Sequence, residues 1–234
     1  MNFLIPAKKN SERVANKNMR LICGKPLIAW TFDAVLGLDP QKTPKETYVS
    51  SDDPDILRIA SVYGFNILQR PESLAGKNTT MSAVLEYHKN DFFYQDDVCV
   101  LYPTSPLRKT SHIQSALELW RREGLPMRTL MSVTEVKYRP HGLMQIGKDY
   151  FLSCLLGDEG EKYYQSQNQP SQYRANGAIY IIPYQQIGKV NSQLFLSHQT
   201  IPFIMNEMDS LELDNESDID LIEWQMSKAM QVAA

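Results

Sequence analysis

The sequence has few cysteines, no long apolar run and no excess of positive charge, and each shortage excludes a class of protein. The three cysteines, Cys23, Cys99 and Cys154, are odd in number and far apart, which predicts free thiols in a reducing compartment. The first apolar run ends at Pro6, so we expect no signal peptide, and no run reaches the roughly 18 residues of a membrane span. A net charge of −3 disfavours nucleic-acid binding. We therefore expect a cytoplasmic protein with no membrane or nucleic-acid partner.

Several catalytic motifs are also missing. The four histidines are scattered, and none has a cysteine or carboxylate at the spacing of a zinc site. No serine lies in a Gly-x-Ser-x-Gly elbow, although a catalytic triad of another arrangement stays open. No glycine-rich P-loop ending in Gly-Lys-Ser or Gly-Lys-Thr is found.

What the sequence does contain is a regular alternation of short apolar runs and helical periods. Strands are predicted at residues 2–5, 46–50, 65–68, 97–102, 129–134 and 177–182, and helices at residues 27–36, 55–63, 79–92, 111–122 and 217–230. This order predicts an α/β fold with a mostly parallel sheet flanked by helices. One domain spans residues 1–234, and residues 136–174 leave the pattern, with a possible hairpin at residues 142–152. We interpret this excursion as an inserted arm, for dimerisation or as an acceptor-site flap.

A basic loop follows the first predicted strand. Between Lys8 and Arg20 it carries five cationic side chains, and Gly24-Lys25-Pro26 leads from it into the first helix. Open parallel sheets bind their ligands at the carboxyl ends of the strands, and lysine and arginine suit phosphate groups. The alternative is an ordinary solvated loop, since most lysines are exposed. The position of the loop favours a phosphate site.

An acidic pair lies near the other end of the chain. In Ser210-Leu211-Glu212-Leu213-Asp214, apolar and acidic residues alternate, so that an extended backbone would project Glu212 and Asp214 to one side. Two carboxylates suit Mg²⁺, which proteins hold with one or two such groups plus substrate phosphates. The alternative is that the acidic residues before the following helix cap it, which the pattern supports equally for Asp214, Glu216 and Asp218. We assign Asp218 and Asp220 to the surface of that helix.

Several motifs occur in the order found in one family. They are Ile5-Pro6-Ala7 with Asn10-Ser11 and Lys17-Asn18, Gly24-Lys25-Pro26-Leu27-Ile28, Val49-Ser50-Ser51-Asp52-Asp53, Arg70-Pro71 with Leu74-Ala75, Pro103-Thr104-Ser105-Pro106-Leu107-Arg108, Tyr173-Arg174 with Asn176-Gly177-Ala178-Ile179-Tyr180, and Glu212-Leu213-Asp214. In this set the chain resembles the acylneuraminate cytidylyltransferases, or CMP-sialic acid synthetases, and their legionaminic and pseudaminic relatives. The resemblance implies a Rossmann-like, glycosyltransferase-A-like nucleotidyltransferase fold and a homodimer in which the arm reaches the neighbouring subunit. It also implies the reaction of CTP with a nine-carbon α-keto sugar acid to give a CMP-sugar and pyrophosphate, with Mg²⁺ as cofactor.

The resemblance also assigns site residues, position by position. It implies nucleotide binding by Ala7, Lys8, Ser11, Lys17, Asn18, Arg70 and Thr80. It implies a metal site at Glu212 and Asp214 and catalytic roles for Lys8, Lys17 and Asp214. It implies a sugar pocket formed by Tyr102, Arg174, Asn176 and Tyr180.

This sequence departs from the family pattern at several of these positions. Lys8 replaces the usual arginine, Glu12 stands where a basic residue is common, Glu212 replaces an aspartate, and Tyr102 stands where sialic-acid enzymes commonly have glutamine. The segment 176–180 is more similar to the sialic and legionaminic branch than to the pseudaminic branch. Two alternatives stay open: another sugar nucleotidyltransferase, of the octulosonic-acid or methylerythritol-phosphate type, and a nucleotide-binding protein that has lost catalysis.

Overall fold

A computed structural model describes residues 1–92, 95–123, 127–137, 140–163, 165 and 169–233. In this part of the chain the strands are β1 (Asn2–Pro6), β2 (Leu21–Ile22), β3 (Lys25–Pro26), β4 (Thr47–Ser51), β5 (Asn66–Gln69), β6 (Val98–Val100), β7 (Thr129–Glu135), β8 (Met144–Ile146), β9 (Leu152–Cys154), β10 (Tyr173–Ile182) and β11 (Thr200–Ile204). The α-helices are α1 (Leu27–Leu36), α2 (Thr43–Glu46), α3 (Pro54–Val62), α4 (Met81–Tyr87), α5 (Thr110–Glu123), α6 (Asp158–Lys162) and α7 (Ser217–Ala233).

The central sheet of the described chain has seven strands, in the order β11-β7-β10-β6-β1-β4-β5. Strand β1 pairs in parallel with β4 and β6, β4 with β5, and β7 with β11. Strand β10 runs antiparallel to both of its neighbours, β6 and β7. The expected α/β fold with a mostly parallel, helix-flanked sheet is therefore confirmed. The assignment of residues 1–234 to one domain stays a prediction.

Helices cover both faces of this sheet, which explains the continuous apolar runs of its inner strands. In β1, Phe3 and Ile5 pack with Phe32 of α1 on one face, and Leu4 packs with Leu85 of α4 on the other. Because side chains alternate along a strand, both sets in β1 must be apolar. The core thus fixes where β1 ends, and therefore where the basic loop begins.

Two of the helices that flank the sheet begin with a side-chain cap. The Asp53 carboxylate accepts a hydrogen bond from the Asp55 amide at the start of α3, and the Thr80 hydroxyl accepts one from the Ala83 amide at the start of α4. Helix α4 is shorter than predicted, because the backbone leaves the helical conformation at His88 and continues as a short 3₁₀ turn.

Other boundaries also differ from the predictions. Strand β6 is shorter than the predicted strand at residues 97–102, and β10 begins at Tyr173 instead of Gly177. Strand β11 was not predicted at all. Its sequence contains Pro202, and it lies at the edge of the sheet, where a strand tolerates proline and leaves several side chains exposed.

The predicted arm separates β7 from β10 and includes the expected hairpin, formed by antiparallel β8 and β9. The Gly147 amide closes its turn by donating to the Phe151 carbonyl at 2.9 Å. Residues 138, 139, 164 and 166–168 of the predicted arm lie outside the described residues. None of the described helices is both long and apolar enough to cross a membrane.

Candidate active site

A pocket of about 250 Å³ lies at the carboxyl ends of β1, β5 and β6. Its walls come from the loop after β1, the segment between β5 and α4, and the loop after β6. Six predicted site residues line it, namely Lys8, Ser11, Lys17, Asn18, Arg70 and Tyr102. Thr79, Met81, Pro103 and Thr104 complete much of the remaining wall. The predicted nucleotide residues therefore meet at the carboxyl ends of the parallel strands, where folds of this kind bind their ligands.

The loop after β1 is held in place by buried polar contacts. Lys17 and Asn18 are both buried, and the Asn18 amide donates to the Lys8 carbonyl at 2.9 Å, which folds the loop back on itself. The Lys17 Nζ donates to the Leu213 carbonyl at 2.7 Å. These contacts argue against a freely solvated loop, because a buried ammonium group needs such partners.

The acidic pair meets this loop. The Asp214 carboxylate lies 2.8 Å from the Arg13 guanidinium and 3.5 Å from the Lys17 Nζ. The Glu212 carboxylate accepts a hydrogen bond from the Thr104 hydroxyl at 3.0 Å. Burial, and then the nearby charge of Asp214, raise the pKa of Glu212. Two like charges held together in a partly dry site are costly, and a cation between them would relieve that cost.

This donor set fits Mg²⁺. Carboxylate oxygens are hard ligands, and Mg²⁺ in nucleotide enzymes takes one or two of them and completes its shell with phosphates and water. Among the described residues no three histidine, cysteine, aspartate or glutamate side chains cluster as a metal site, so a metal ion here would take only the carboxylates of Glu212 and Asp214 from this part of the chain. Without a cation, Arg13 and Lys17 offset the charge of Asp214.

Asp218 accepts hydrogen bonds at the start of α7, which agrees with the capping alternative for the acids before that helix. Its Oδ2 accepts hydrogen bonds from the backbone amides of Asp214 at 2.8 Å and Asn215 at 2.7 Å. The carboxylate therefore holds the turn that carries Asp214 against the start of α7, from a partly exposed position in the first turn of that helix. The available signal was its place in the first helical turn, where acids accept from nearby amides.

The remaining predicted nucleotide residues surround Ser50 at the end of β4. Arg70 is buried, and its Nη2 and Nε donate to the carbonyl and hydroxyl oxygens of Ser50 at 3.0 and 3.2 Å. Burial lowers the pKa of Arg70, and the charge of Asp52 partly offsets this effect. Ala7 is buried beside the same carbonyl, to which its amide donates at 2.9 Å. Thr80 caps α4 instead of lining the pocket, and its neighbour Thr79 lines it.

One predicted sugar residue, Tyr102, lines the pocket and packs against a second, Tyr180, which lies behind it in the core. The rings of Tyr102 and Tyr180 pack edge to face, with centroids 5.6 Å apart. Burial is the main cause that raises the pKa of Tyr102 and raises that of Tyr180 to about 12, so both hydroxyls stay protonated. The negative charge of Glu212 is a smaller cause that raises the pKa of both tyrosines. The two tyrosines therefore adjoin the acidic pair.

The other two predicted sugar residues lie outside this pocket wall. The buried Asn176 side chain accepts from the Ser132 hydroxyl at 2.6 Å and donates to the Thr134 hydroxyl at 3.0 Å, so it is engaged within the sheet. It stabilises an irregularity in the pairing of β10 with β7, in which Gly177 has a φ of +69°. Arg174 is exposed on β10. Their roles in sugar binding stay predictions.

Comparison with known proteins agrees with this architecture. The family model for cytidylyltransferases matches residues 2–230. The CMP-N,N'-diacetyllegionaminic acid synthase of Legionella pneumophila is 32% identical over 94% of this chain and 93% of its own length. The N-acylneuraminate cytidylyltransferase of Escherichia coli is 28% identical over 93% of this chain, which spans about half (50%) of that relative.

A solved structure shares the fold. It is the CMP:2-keto-3-deoxy-manno-octonic acid synthetase complexed with CTP, which superposes with a TM-score of 0.68 at 15% identity and covers 97% of this chain and 98% of its own. The likeness concerns the fold alone at that identity. Because the family model covers nearly the whole sequence, and the pocket lies at the sheet edge that such a fold uses, the chain belongs to the cytidylyltransferase family.

Proposed function

We propose that the protein transfers CMP from CTP to a nine-carbon α-keto sugar acid of the sialic or legionaminic type, releasing pyrophosphate. The observation that carries the proposal is the meeting of the buried Lys17 with Asp214 and Glu212 at the pocket edge. A cationic loop beside an acidic pair suits a triphosphate and its metal. The similarity to the legionaminic synthase, over nearly the full length of both chains, supports the choice of acceptor class.

In the proposed reaction the anomeric hydroxyl of the sugar acid attacks the α-phosphorus of CTP, and the bond to pyrophosphate breaks. Lys8, Lys17 and Arg70 supply positive charge along the pocket, which stabilises negative charge on the phosphates. Glu212 and Asp214 would hold Mg²⁺, which supplies further positive charge to the triphosphate. The fixed positions of the loop and the acidic pair place the reactants, so catalysis rests on orientation and electrostatics.

The decisive experiment measures pyrophosphate release by the purified protein with Mg²⁺. CTP, UTP, ATP and GTP are each paired with sialic, legionaminic, pseudaminic and octulosonic acids. We expect release with CTP and a sialic or legionaminic acid. Release with octulosonic acid alone would favour a sugar nucleotidyltransferase of the octulosonic-acid type. CTP binding without any turnover would favour a nucleotide-binding protein that has lost catalysis. Lys17→Ala and Asp214→Ala should each abolish most turnover in folded protein.

We further propose that the protein is a homodimer formed through the arm. The arm exposes a group of apolar side chains, with exposed fractions of 69% for Ile146, 90% for Tyr150, 73% for Phe151 and 69% for Leu152. Ile146 is paired with Leu152 across the hairpin, and exposed apolar side chains grouped in this way are typical of protein interfaces. Light scattering after gel filtration should give a dimer for the wild type and a monomer for Phe151→Glu. Val62→Glu, at an 81% exposed position on α3, is the matched control and should stay dimeric.

A cytoplasmic location is also a proposal. It is supported by three cysteines that are all free, as expected where thiols stay reduced. Cell fractionation with an antibody to the protein tests it, and recovery with the envelope fraction would contradict it.

A further inference from the structure

A chain of hydrogen bonds runs beneath the pocket from an acid on the protein surface to Arg70. The Asp91 carboxylate lies 2.9 Å from Nδ1 of His88, and Nε2 of His88 lies 3.0 Å from the Ser50 hydroxyl. That hydroxyl accepts from Arg70 Nε at 3.2 Å. His88 and Ser50 are fully buried, whereas Asp91 is about half exposed. Four residues from three segments of the chain therefore form one continuous line.

The chemistry of the end groups sets the direction of every bond in this chain. A carboxylate can only accept, so the proton of neutral His88 resides on Nδ1 and faces Asp91. Nε2 is then an acceptor, and the Ser50 hydroxyl must donate to it. With its proton committed to His88, the Ser50 oxygen presents its lone pairs to the N–H of Arg70. Burial is the main cause that lowers the pKa of His88, and this agrees with the neutral form.

The orientation of Arg70 depends on Ser50. Its Nη2 and Nε are both bonded to Ser50, and no carboxylate of the described chain forms an ion pair with it. Its Nη1 has no hydrogen-bond partner among the described residues, although the side chain lines the pocket. A buried guanidinium with one unused nitrogen at a pocket wall is prepared for an acceptor on a ligand.

We propose that His88 is a positioning residue that, through the Ser50 hydroxyl, holds Arg70 in the orientation that binds the nucleotide. The assignment rests on the proposed function, because it takes CTP as the nucleotide. His88 itself does not line the pocket. Its place at the end of α4, whose first residues do line the pocket, links that helix to β4 beneath the bound ligand.

Calorimetric titration of CTP with Mg²⁺ tests the assignment on the full-length protein. His88→Leu keeps an apolar bulk but removes the acceptor, and should weaken CTP binding about tenfold, or about 1.4 kcal/mol. His88→Gln restores an acceptor near the position of Nε2 and should bind CTP within about threefold of the wild type. The KM for the sugar acid should not change in either. His112→Leu, at a half-buried histidine beside Asp209 and away from the pocket, is the matched control and should bind normally.

A second pair of variants separates positioning from packing. Ser50→Ala should weaken binding as His88→Leu does, and the double variant should be no weaker than Ser50→Ala alone, because both changes break one chain. Normal CTP binding by His88→Leu would overturn the assignment. The assignment would also be overturned if His88→Leu and His88→Gln lost CTP affinity equally and in proportion to the fall in their melting temperatures, because the loss would then reflect destabilised packing. If the wild-type protein itself binds no CTP, the result contradicts the proposed function, and it is distinguishable from a loss that is confined to the variants.

Discussion

Gly177 tests whether the position of the Glu212 carboxylate matters for turnover. The backbone of Gly177 has a φ of +69°, and a methyl group placed there would lie 3.0 Å from Glu212 Oε1 and 3.1 Å from both Cδ and Oε2. These contacts are shorter than side chains normally make, so the carboxylate of Gly177→Ala must move by a few tenths of an ångström. Glu212 is largely buried and bonded to Thr104, which leaves it little room.

Two effects lower the free energy of unfolding of Gly177→Ala. A left-handed backbone costs alanine about 1–2 kcal/mol relative to glycine. Weakening the bond from Thr104 to Glu212 adds about 1 kcal/mol. The sum of about 2–3 kcal/mol should lower the melting temperature by about 4–12 °C. We expect a larger relative loss in Mg²⁺-dependent turnover, of about tenfold or more, because Mg²⁺ demands near-ideal ligand geometry.

Gly188→Ala is the matched control. Gly188 also has a left-handed φ, of +87°, and a methyl group there would lie 3.1 Å from Glu86 Oε1. Glu86 is exposed and free to move, so this variant should lose some stability and keep its turnover.

Glu212→Asp supplies the rescue, since it shortens the side chain by one methylene group and relieves the contact. In the Gly177→Ala background it should raise kcat/KM, with a coupling energy of about 1 kcal/mol in a double-mutant cycle. Turnover by Gly177→Ala within twofold of the wild type, or strictly additive effects of the two substitutions, would refute the reasoning.

Three further predictions concern other described contacts. Asp218→Ala removes the acceptor for two backbone amides and should lower kcat about tenfold by loosening Asp214, whereas Asp220→Ala, on the exposed surface of the same helix, should have no effect on a pyrophosphate-release assay. Burial raises the pKa of Asp97, so ionisation of this carboxyl destabilises the folded state as the pH rises. Asp97→Asn should therefore raise the melting temperature by about 1–3 °C at pH 7 and by less towards pH 4. Buried Arg108 donates to two backbone carbonyls and a threonine hydroxyl. Because lysine cannot reach all three acceptors, Arg108→Lys should lower the free energy of unfolding by about 3 kcal/mol and the melting temperature by about 6–12 °C.

The fold was largely predictable, because periodicity reports which faces of each element are buried. The continuous apolar run of β1 and the helical spacing of α1 required a two-sided core, and both elements occur where expected. The direction of β10 was not predictable, since a strand buried on both faces has the same pattern whether it runs parallel or antiparallel. Edge strand β11 was not predicted because its exposed positions, Pro202 and Ile204, are as apolar as Ile201 and Phe203, which pack against the core, so the sequence shows no alternation of polar and apolar residues.

Two parts of the candidate site could be located from the sequence, because clustered lysines and arginines, or alternating carboxylates, indicate their chemistry without knowledge of distant contacts. The cationic loop and the acidic pair are brought together, with Lys17 bonded to the carbonyl of Leu213. The contact of His88 was not predicted, because it depends on Ser50, a serine distant in sequence. For Asp218 the sequence left a helix cap and a surface position both open, and only the folded backbone shows which amides it accepts from. Spacing along one chain cannot report such contacts, which form only when separate segments fold together.

The arm leaves the sheet and returns to it at adjacent positions. Glu135 is paired with Tyr173 across β7 and β10, and the Val136 amide donates to the Gln172 carbonyl at 2.9 Å. An insertion whose two ends share one rung of a ladder imposes no strain on the sheet that carries it. The arm could therefore be replaced by a tight turn, or by another insertion, without disturbing the pairing of β7 with β10 or the pocket at the other strands.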